Sequence, residues 1–109
     1  MKELILRLSG AITIGDGDIR LHNKIREALQ AGYQLIILDF AGVTYMDSSA
    51  IGELAGALST VKKAESQLVL TTLQPRVKKI MGTMCFLDIF QVFDTTEDAL
   101  QIMHRRMEG

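Results

Sequence analysis

A carboxylate and two hydroxyls occupy consecutive positions at Asp47, Ser48 and Ser49. They stand just before an apolar helical pattern, where each side chain could accept a hydrogen bond from an unpaired amide of a helix start. One cap is enough, so at least one hydroxyl remains for other chemistry. Helix N-termini also stabilise anions, phosphate included. The cluster therefore suits either a structural cap or a site that holds a phosphate.

The same residue types could contribute to a hydrolytic triad with His22 or His104. His22 falls in an amphipathic helical pattern and His104 lies among terminal charges, which is more typical of surface or capping histidines. No Gly-x-Ser-x-Gly elbow or His-Glu-x-x-His motif is present. The run 15–17 carries acids and lacks the lysine of a phosphate-binding loop, so it is more typical of a turn. We therefore expect no catalytic residue, no metal and no cofactor.

Composition and charge narrow the class of protein. The 109 residues, 48% hydrophobic and 23% charged, suit one globular domain over 1–109. A net charge of −1 provides no basic field for nucleic acid or an anionic membrane. Cys85, the single cysteine, lies between Met84 and Phe86 and is predicted to be a buried small hydrophobe. With neither a secretory signal nor a membrane-length apolar run, we expect a cytoplasmic protein.

Apolar periodicity predicts four strands alternating with four helices. Strand patterns cover residues 4–8, 34–40, 67–72 and 89–93. Helical patterns start at Asp16 or Asp18, at Ser48, near Pro75 and at one of residues 94–96. The second helix is the clearest and spans 48–63. Alternation of this kind predicts an α/β fold with a mixed or mainly parallel sheet of four or five strands. Binding sites in such folds lie at the carboxyl ends of the strands, and the segment after Phe40, taken as a loop over 41–46, is such a place.

The segment Asp47-Ser48-Ser49-Ala50-Ile51-Gly52, preceded by Val43-Thr44-Tyr45-Met46, resembles the signature of the STAS family of bacterial anti-sigma factor antagonists. Residues 8–10 and 73–77 resemble further segments of that family. The resemblance implies a single STAS-like domain in which a partner kinase, itself the anti-sigma factor, phosphorylates Ser48, with Ser49 as second choice. The unphosphorylated form would bind the kinase and release a sigma factor, and the phosphorylated form would let go. The chain departs from the family pattern in two ways. Thr13 stands where many members have aspartate, and the chain starts too late for a full copy of the N-terminal edge strand that members often carry.

A partner-binding surface is expected around this helix start. The outward face of the helix is predicted to carry Ser49, Gly52, Glu53, Gly56, Ala57 and Thr60. Two glycines four residues apart on an exposed helix suggest close approach of another backbone, either the partner's or that of the domain's own helices. The predicted partner-binding residues are Asp16, Asp18, Asp47, Ser48, Ser49, Gly52, Glu53 and Gly56. We expect a monomer or weak homodimer. The alternative function is a STAS scaffold or transporter-accessory subunit that is not phosphorylated.

Overall fold

The computed structural model describes residues 2–13 and 16–108, without the side chains of residues 16–20. Four strands form one sheet in chain order, and each neighbouring pair is parallel. The strands are β1 (Glu3–Ile12), β2 (Leu35–Met46), β3 (Gln67–Thr71) and β4 (Gln91–Phe93). The predicted α/β class with a parallel sheet is therefore confirmed, and β1 and β4 form the two edges in the described part of the chain.

Four helices connect or follow the strands, as predicted. They are α1 (Asp16–Gln30), α2 (Ser48–Lys63), α3 (Pro75–Thr83) and α4 (Thr96–Glu108). The bounds of α2 are those expected from the periodicity, and α1 is followed by Gly32 in the left-handed conformation, at φ +87°. Among the helices of the described residues, none is long and apolar enough to cross a membrane.

The central strand β2 is buried on both faces. Ile36, Leu38 and Phe40 belong to the core that contains the buried residues of α1, α2 and α3. Leu35 and Ile37 belong to a smaller core formed with Ala99 and Met103 of α4. Because successive strand residues point to opposite faces, a continuous apolar run results when helices cover both sides of the sheet.

The expected loop over 41–46 is wrong, because β2 continues to Met46 and pairs with β1 to its end. The parallel ladder has two register shifts, and at each one β2 has one residue more than β1. A Cβ on Gly42 would lie 2.9 Å from the backbone oxygen of Leu8, so only glycine fits this close approach. Local bulges of this kind bend a strand without ending it, and the sequence pattern does not reveal them.

Two smaller expectations are also corrected. Cys85 is exposed, not buried. It follows the end of α3 at φ +60°, and its amide donates to the oxygen of Gly82 at 3.1 Å, so the chain turns there and the side chain lies at the surface. The last strand is shorter than predicted, because a 3₁₀ turn, Leu87–Ile89, precedes it.

A polar cluster joins the start of α4 to the sheet. Thr71 and Asp39 are paired positions of β3 and β2. The hydroxyl of Thr96 donates to Asp39 Oδ2 at 3.3 Å and lies 2.9 Å from that of buried Thr71. Since the Thr96 proton points to the carboxylate, Thr71 is the donor of the second bond. The cluster fixes where α4 meets the carboxyl ends of the strands.

Thr96→Val should lower the free energy of unfolding by about 1–2 kcal/mol, because it leaves the buried Thr71 hydroxyl without its acceptor. The double variant Thr71→Val, Thr96→Val should lose less than the sum of the single losses, since both partners are then apolar. Urea unfolding measures the free energies of unfolding of Thr71→Val, Thr96→Val and the double variant. The control is Thr44→Val, at an exposed position of β2. Strict additivity would contradict the proposed bond.

Candidate functional site

The site lies where β1 and β2 end together. Ile12 and Met46 are paired residues at the end of the ladder, and the amide of Asp47 donates to the Ile12 oxygen at 3.3 Å. Only Asp47 separates the last residue of β2 from Ser48, the first residue of α2. The position of the helix start is therefore set by the ladder itself and not by a loop.

Asp47 is the N-cap of α2. Its backbone is extended, at φ −90° and ψ 173°, and its Oδ1 accepts a hydrogen bond from the amide of Ala50 at 2.8 Å. Its backbone oxygen accepts the first helical bond, from Ile51, at 3.1 Å. Ala50 and Ile51 are buried behind the cap, so the helix start is anchored on the core side. The sequence left open which of the three polar residues caps the helix, and the structure assigns that role to Asp47.

Ser48 and Ser49, the two residues after the cap, are both exposed. In the described part of the chain no hydrogen bond involves either hydroxyl. Both belong to the first helical turn, where amides lack an intrahelical partner and the helix dipole favours negative charge. That turn contains no acidic residue after the cap. An added phosphate would therefore meet unpaired amides and the positive end of the dipole, opposed by the neighbouring Asp47 carboxylate.

The exposed face of α2 extends the site by two turns. Gly52, Glu53 and Gly56 are exposed, and a Cβ built on either glycine meets no described atom within 4 Å. Among the described residues, these glycines therefore do not pack against the domain's own helices. Ala57, expected on the outward face, is buried with 2% of its surface exposed, because it faces the main core.

Asp16 and Asp18 lie in the first turn of α1, and their side chains fall outside the described residues. They therefore stay predicted partner-binding residues. Thr13 lies just beyond the end of β1 and is exposed at the same edge of the sheet as Ser48.

The two histidines occupy different parts of the fold. His104 in the last turns of α4 is paired with Glu3 at the start of β1. Ser48 lies beyond the opposite end of the same sheet, roughly 30 Å away along ten strand residues, which excludes a triad with His104. His22 is half-buried at a cavity of about 10 Å³ that Glu53 and Ala50 also line, and its buried Nδ1 has no partner among the described residues. Within those residues, no cluster of three or more His, Cys, Asp or Glu side chains could hold a metal ion.

Sequence reasoning missed a pair of side chains at this edge. Arg76, in the first turn of α3, lies over the ring of Tyr45 with its Cζ 5.4 Å from the ring centroid. Nearby, Gln74 Nε2 donates to the oxygen of Ala41 at 2.6 Å and ties the start of α3 to β2. The available signal was Tyr45, an aromatic residue two positions before the Asp47 cap. Because residues 41–46 were expected to form a loop, the sequence did not show that Tyr45 is an exposed residue of a strand.

Comparison with known proteins decides the family. The STAS domain model matches residues 2–99. The chain belongs to the STAS family. The resemblance found in the sequence is thereby confirmed. The anti-sigma-B factor antagonist of Listeria monocytogenes is 30% identical to this STAS chain over an alignment of 83 residues, and the match covers 72% of this chain and 72% of that protein.

Solved structures show the same fold at lower identity. Unphosphorylated SpoIIAA, an anti-sigma factor antagonist, superposes with a TM-score of 0.72 at 22% identity and covers 95% of this STAS chain and 90% of its own. SpoIIAA from Bacillus has also been solved in the phosphorylated form, which superposes with a TM-score of 0.70. A sulfate transporter family protein from Wolinella succinogenes has a TM-score of 0.80 at 17% identity, over 98% of this chain and 88% of that one. The fold is therefore shared by proteins with different roles, and the site must decide between them.

Asp47→Ala should lower the free energy of unfolding by about 1 kcal/mol, because the Ala50 amide loses its acceptor. Ser48→Ala should change it by less than about 0.5 kcal/mol, as expected for an exposed residue. Asp47→Asn is the matched control, since asparagine caps as well as aspartate. Thermal and urea unfolding give these values, and an Asn variant as unstable as the Ala variant would contradict the capping role.

Proposed function

We propose that this STAS protein is an anti-sigma factor antagonist that binds an anti-sigma factor with serine kinase activity and so releases a sigma factor. Phosphorylation of Ser48 by that kinase ends the interaction. The observation that carries the proposal is the exposed Ser48 hydroxyl at the start of α2, in a helix that Asp47 already caps. The 30% identity to the Listeria monocytogenes antagonist supports the same activity.

The physics of the helix start favours a local switch. A phosphoserine carries a charge of about −1.5 to −2 at pH 7 and three acceptor oxygens. The free amides and the dipole at the start of α2 stabilise this charge, so the fold should tolerate it. The partner should not tolerate the phosphate, because its groups around the neutral Ser48 hydroxyl would then meet an unpaired, desolvated charge. The phosphate should therefore change binding and leave folding intact.

Ser48 is the better choice of the two hydroxyls. Successive helical residues point about 100° apart, so a kinase that holds α2 in one orientation presents only one of them well. Ser48 directly follows the residue that joins β2 to α2 and so lies nearest the carboxyl ends of the strands, where ligands approach parallel sheets. Ser49 is one position further along the exposed face.

The rest of the binding surface follows from the exposed groups around Ser48. We assign to it Asp47, Ser49, Gly52, Glu53 and Gly56, with Asp16 and Asp18 at the start of α1. The bare glycine backbone of α2 allows a partner element to approach more closely than side chains would permit. In this proposal the protein acts in the bacterial cytoplasm, as one domain without a cofactor.

Treatment of the purified protein with its cognate kinase and ATP should add one phosphate, and tandem mass spectrometry should place it on Ser48. The phosphorylated protein should bind the kinase at least about a hundredfold more weakly, because an unpaired buried charge costs several kcal/mol. Isothermal titration calorimetry of both forms measures the difference.

Ser49→Ala serves as the control for this experiment and should be phosphorylated normally, whereas Ser48→Ala should bind the kinase but gain no phosphate. Phosphate on Ser49, Thr44 or Tyr45 with Ser48 unmodified would refute the assignment. Tight binding without phosphate transfer by any kinase of the organism would favour a scaffold role.

Gly52→Ala and Gly56→Ala should act in opposite directions on folding and on binding. Each should raise the free energy of unfolding by about 0.5–1 kcal/mol, because alanine has the higher helix propensity and its Cβ meets open space. Each should weaken binding to the kinase if the partner backbone lies against this face. Urea unfolding and calorimetry test the two effects separately.

The matched control is Ser59→Ala, an exposed position further along α2. It should leave kinase binding unchanged. Glycine variants that are more stable and bind as tightly as the wild type would remove the α2 glycine face from the interface.

A further inference from the structure

Tyr45, near the end of β2, and Arg76, in the first turn of α3, form a preorganised aromatic–guanidinium pair. Tyr45 is one of two large apolar side chains that are exposed among the described residues, with 36% of its surface accessible. Arg76 lies over its ring with a Cζ-to-centroid distance of 5.4 Å, within the range of a cation–π contact. A guanidinium that lies on a ring keeps the N–H groups of its edge available for hydrogen bonds.

Arg76 has no carboxylate partner within the structurally described part of the chain. Residues 66–87 contain no Asp or Glu and carry Arg76, Lys78 and Lys79. The other residues have nine Lys and Arg against 13 Asp and Glu, a formal charge of −4. All three cations are exposed, so a basic surface interrupts an otherwise acidic protein.

The position of Arg76 is unfavourable for the dipole of α3. Gln74 is the N-cap, so Pro75 and Arg76 are the first two helical residues, and the first turn contains no acid. The N-terminus of a helix already has a partial positive charge, so a cation there is unfavourable for the helix. Lys79 is three residues after Arg76 and shares its side of the helix. Arg76 is therefore exposed at a position where its charge is unfavourable for the helix, with the Tyr45 ring as its contact.

From this pair we infer a docking point for an acidic segment of the protein partner, the kinase of the proposed function on which this inference rests. A Glu or Asp side chain of the partner accepts paired hydrogen bonds from the outward edge of the Arg76 guanidinium. An apolar side chain next to it covers the exposed edge of the Tyr45 ring, and Lys79 attracts further acidic residues. Aromatic residues and arginine are the types that most often dominate binding energy at protein interfaces.

The choice of a carboxylate segment follows from charge and geometry. A planar guanidinium matches the two oxygens of a carboxylate, and a neighbouring aromatic face favours an adjoining apolar residue. Tyr45 lies on β2 three residues before Ser48, so both are at the carboxyl end of the same strand. Arg76 thereby sets partner specificity, since a kinase with a basic residue at this point would be rejected.

Calorimetry of the unphosphorylated protein with its cognate kinase tests the inference. Arg76→Glu should raise Kd by about tenfold or more, because it places like charges in contact. Arg76→Lys should raise Kd by about threefold, since the charge stays but the paired geometry is lost. Tyr45→Phe, which keeps the ring face, should stay within about twofold of the wild type. Raising the salt concentration should weaken wild-type binding more than Arg76→Glu binding.

Arg105→Glu is the matched control, because it makes the same charge change at an exposed position of α4, on the other face of the sheet. It should leave Kd within about twofold of the wild type, as expected for a position outside the interface. Urea unfolding of Arg76→Glu should differ little from that of the wild type, because an acid at the helix N-terminus offsets the lost contact with the Tyr45 ring. A loss of binding by a variant of unchanged stability cannot be attributed to misfolding.

Three results would overturn the inference in distinguishable ways. Equal Kd values for Arg76→Glu, Arg105→Glu and the wild type would remove the docking point and leave the proposed function in place. Failure of the wild type to bind the kinase would remove both. An effect of Arg76→Glu that is confined to the Ser48-phosphorylated form would instead make the phosphate the anion that Arg76 binds.

Discussion

The long parallel ladder between β1 and β2 is the constraint on which the rest of the structure depends. Residues 35–40 are held by apolar contacts on both faces of the sheet, and the register shifts allow the pairing to continue to Met46. Asp47 is then fixed to β1 through its amide and to α2 through both its side chain and its backbone oxygen. The first turn of α2 consequently has little freedom relative to the sheet, because no loop lies between them.

This rigidity suits a switch that works through charge. A serine on a flexible loop could move a phosphate away from a partner, whereas a serine at an anchored helix start holds it in place. The same anchoring directs the bare face of α2 toward the outside, since Ala50, Ile51 and Leu54 occupy the core. The cap, the hydroxyl and the glycine backbone thus lie at one end of α2, and in the proposed function a phosphate on Ser48 would alter the charge there without unfolding the domain.

The proposed binding surface also divides into a region of negative charge and a region of positive charge. Asp47 at the N-cap and Glu53 on α2 lie near Ser48, while Arg76, Lys78 and Lys79 lie on α3, which is tied to β2 through Gln74. A partner that binds across both helices must match an acidic and a basic region at once. Such a requirement provides specificity as well as affinity, because a partner with the reverse arrangement meets like charges at both points.

The sequence by itself determined the alternation of elements, the bounds of α2, the parallel sheet and the position of Ser48 at a helix start, since local periodicity and capping chemistry encode these features. It did not determine the continuation of β2 through 41–46, the exposure of Cys85, the burial of Ala57 or the contact between Tyr45 and Arg76. The continuation of β2 depends on bulges in its ladder with β1. The contact between Tyr45 and Arg76 joins residues 31 positions apart, which only the folded chain brings together. Tertiary structure also chose Asp47 among three competing caps, because only its side chain reaches the Ala50 amide while its own amide pairs with β1.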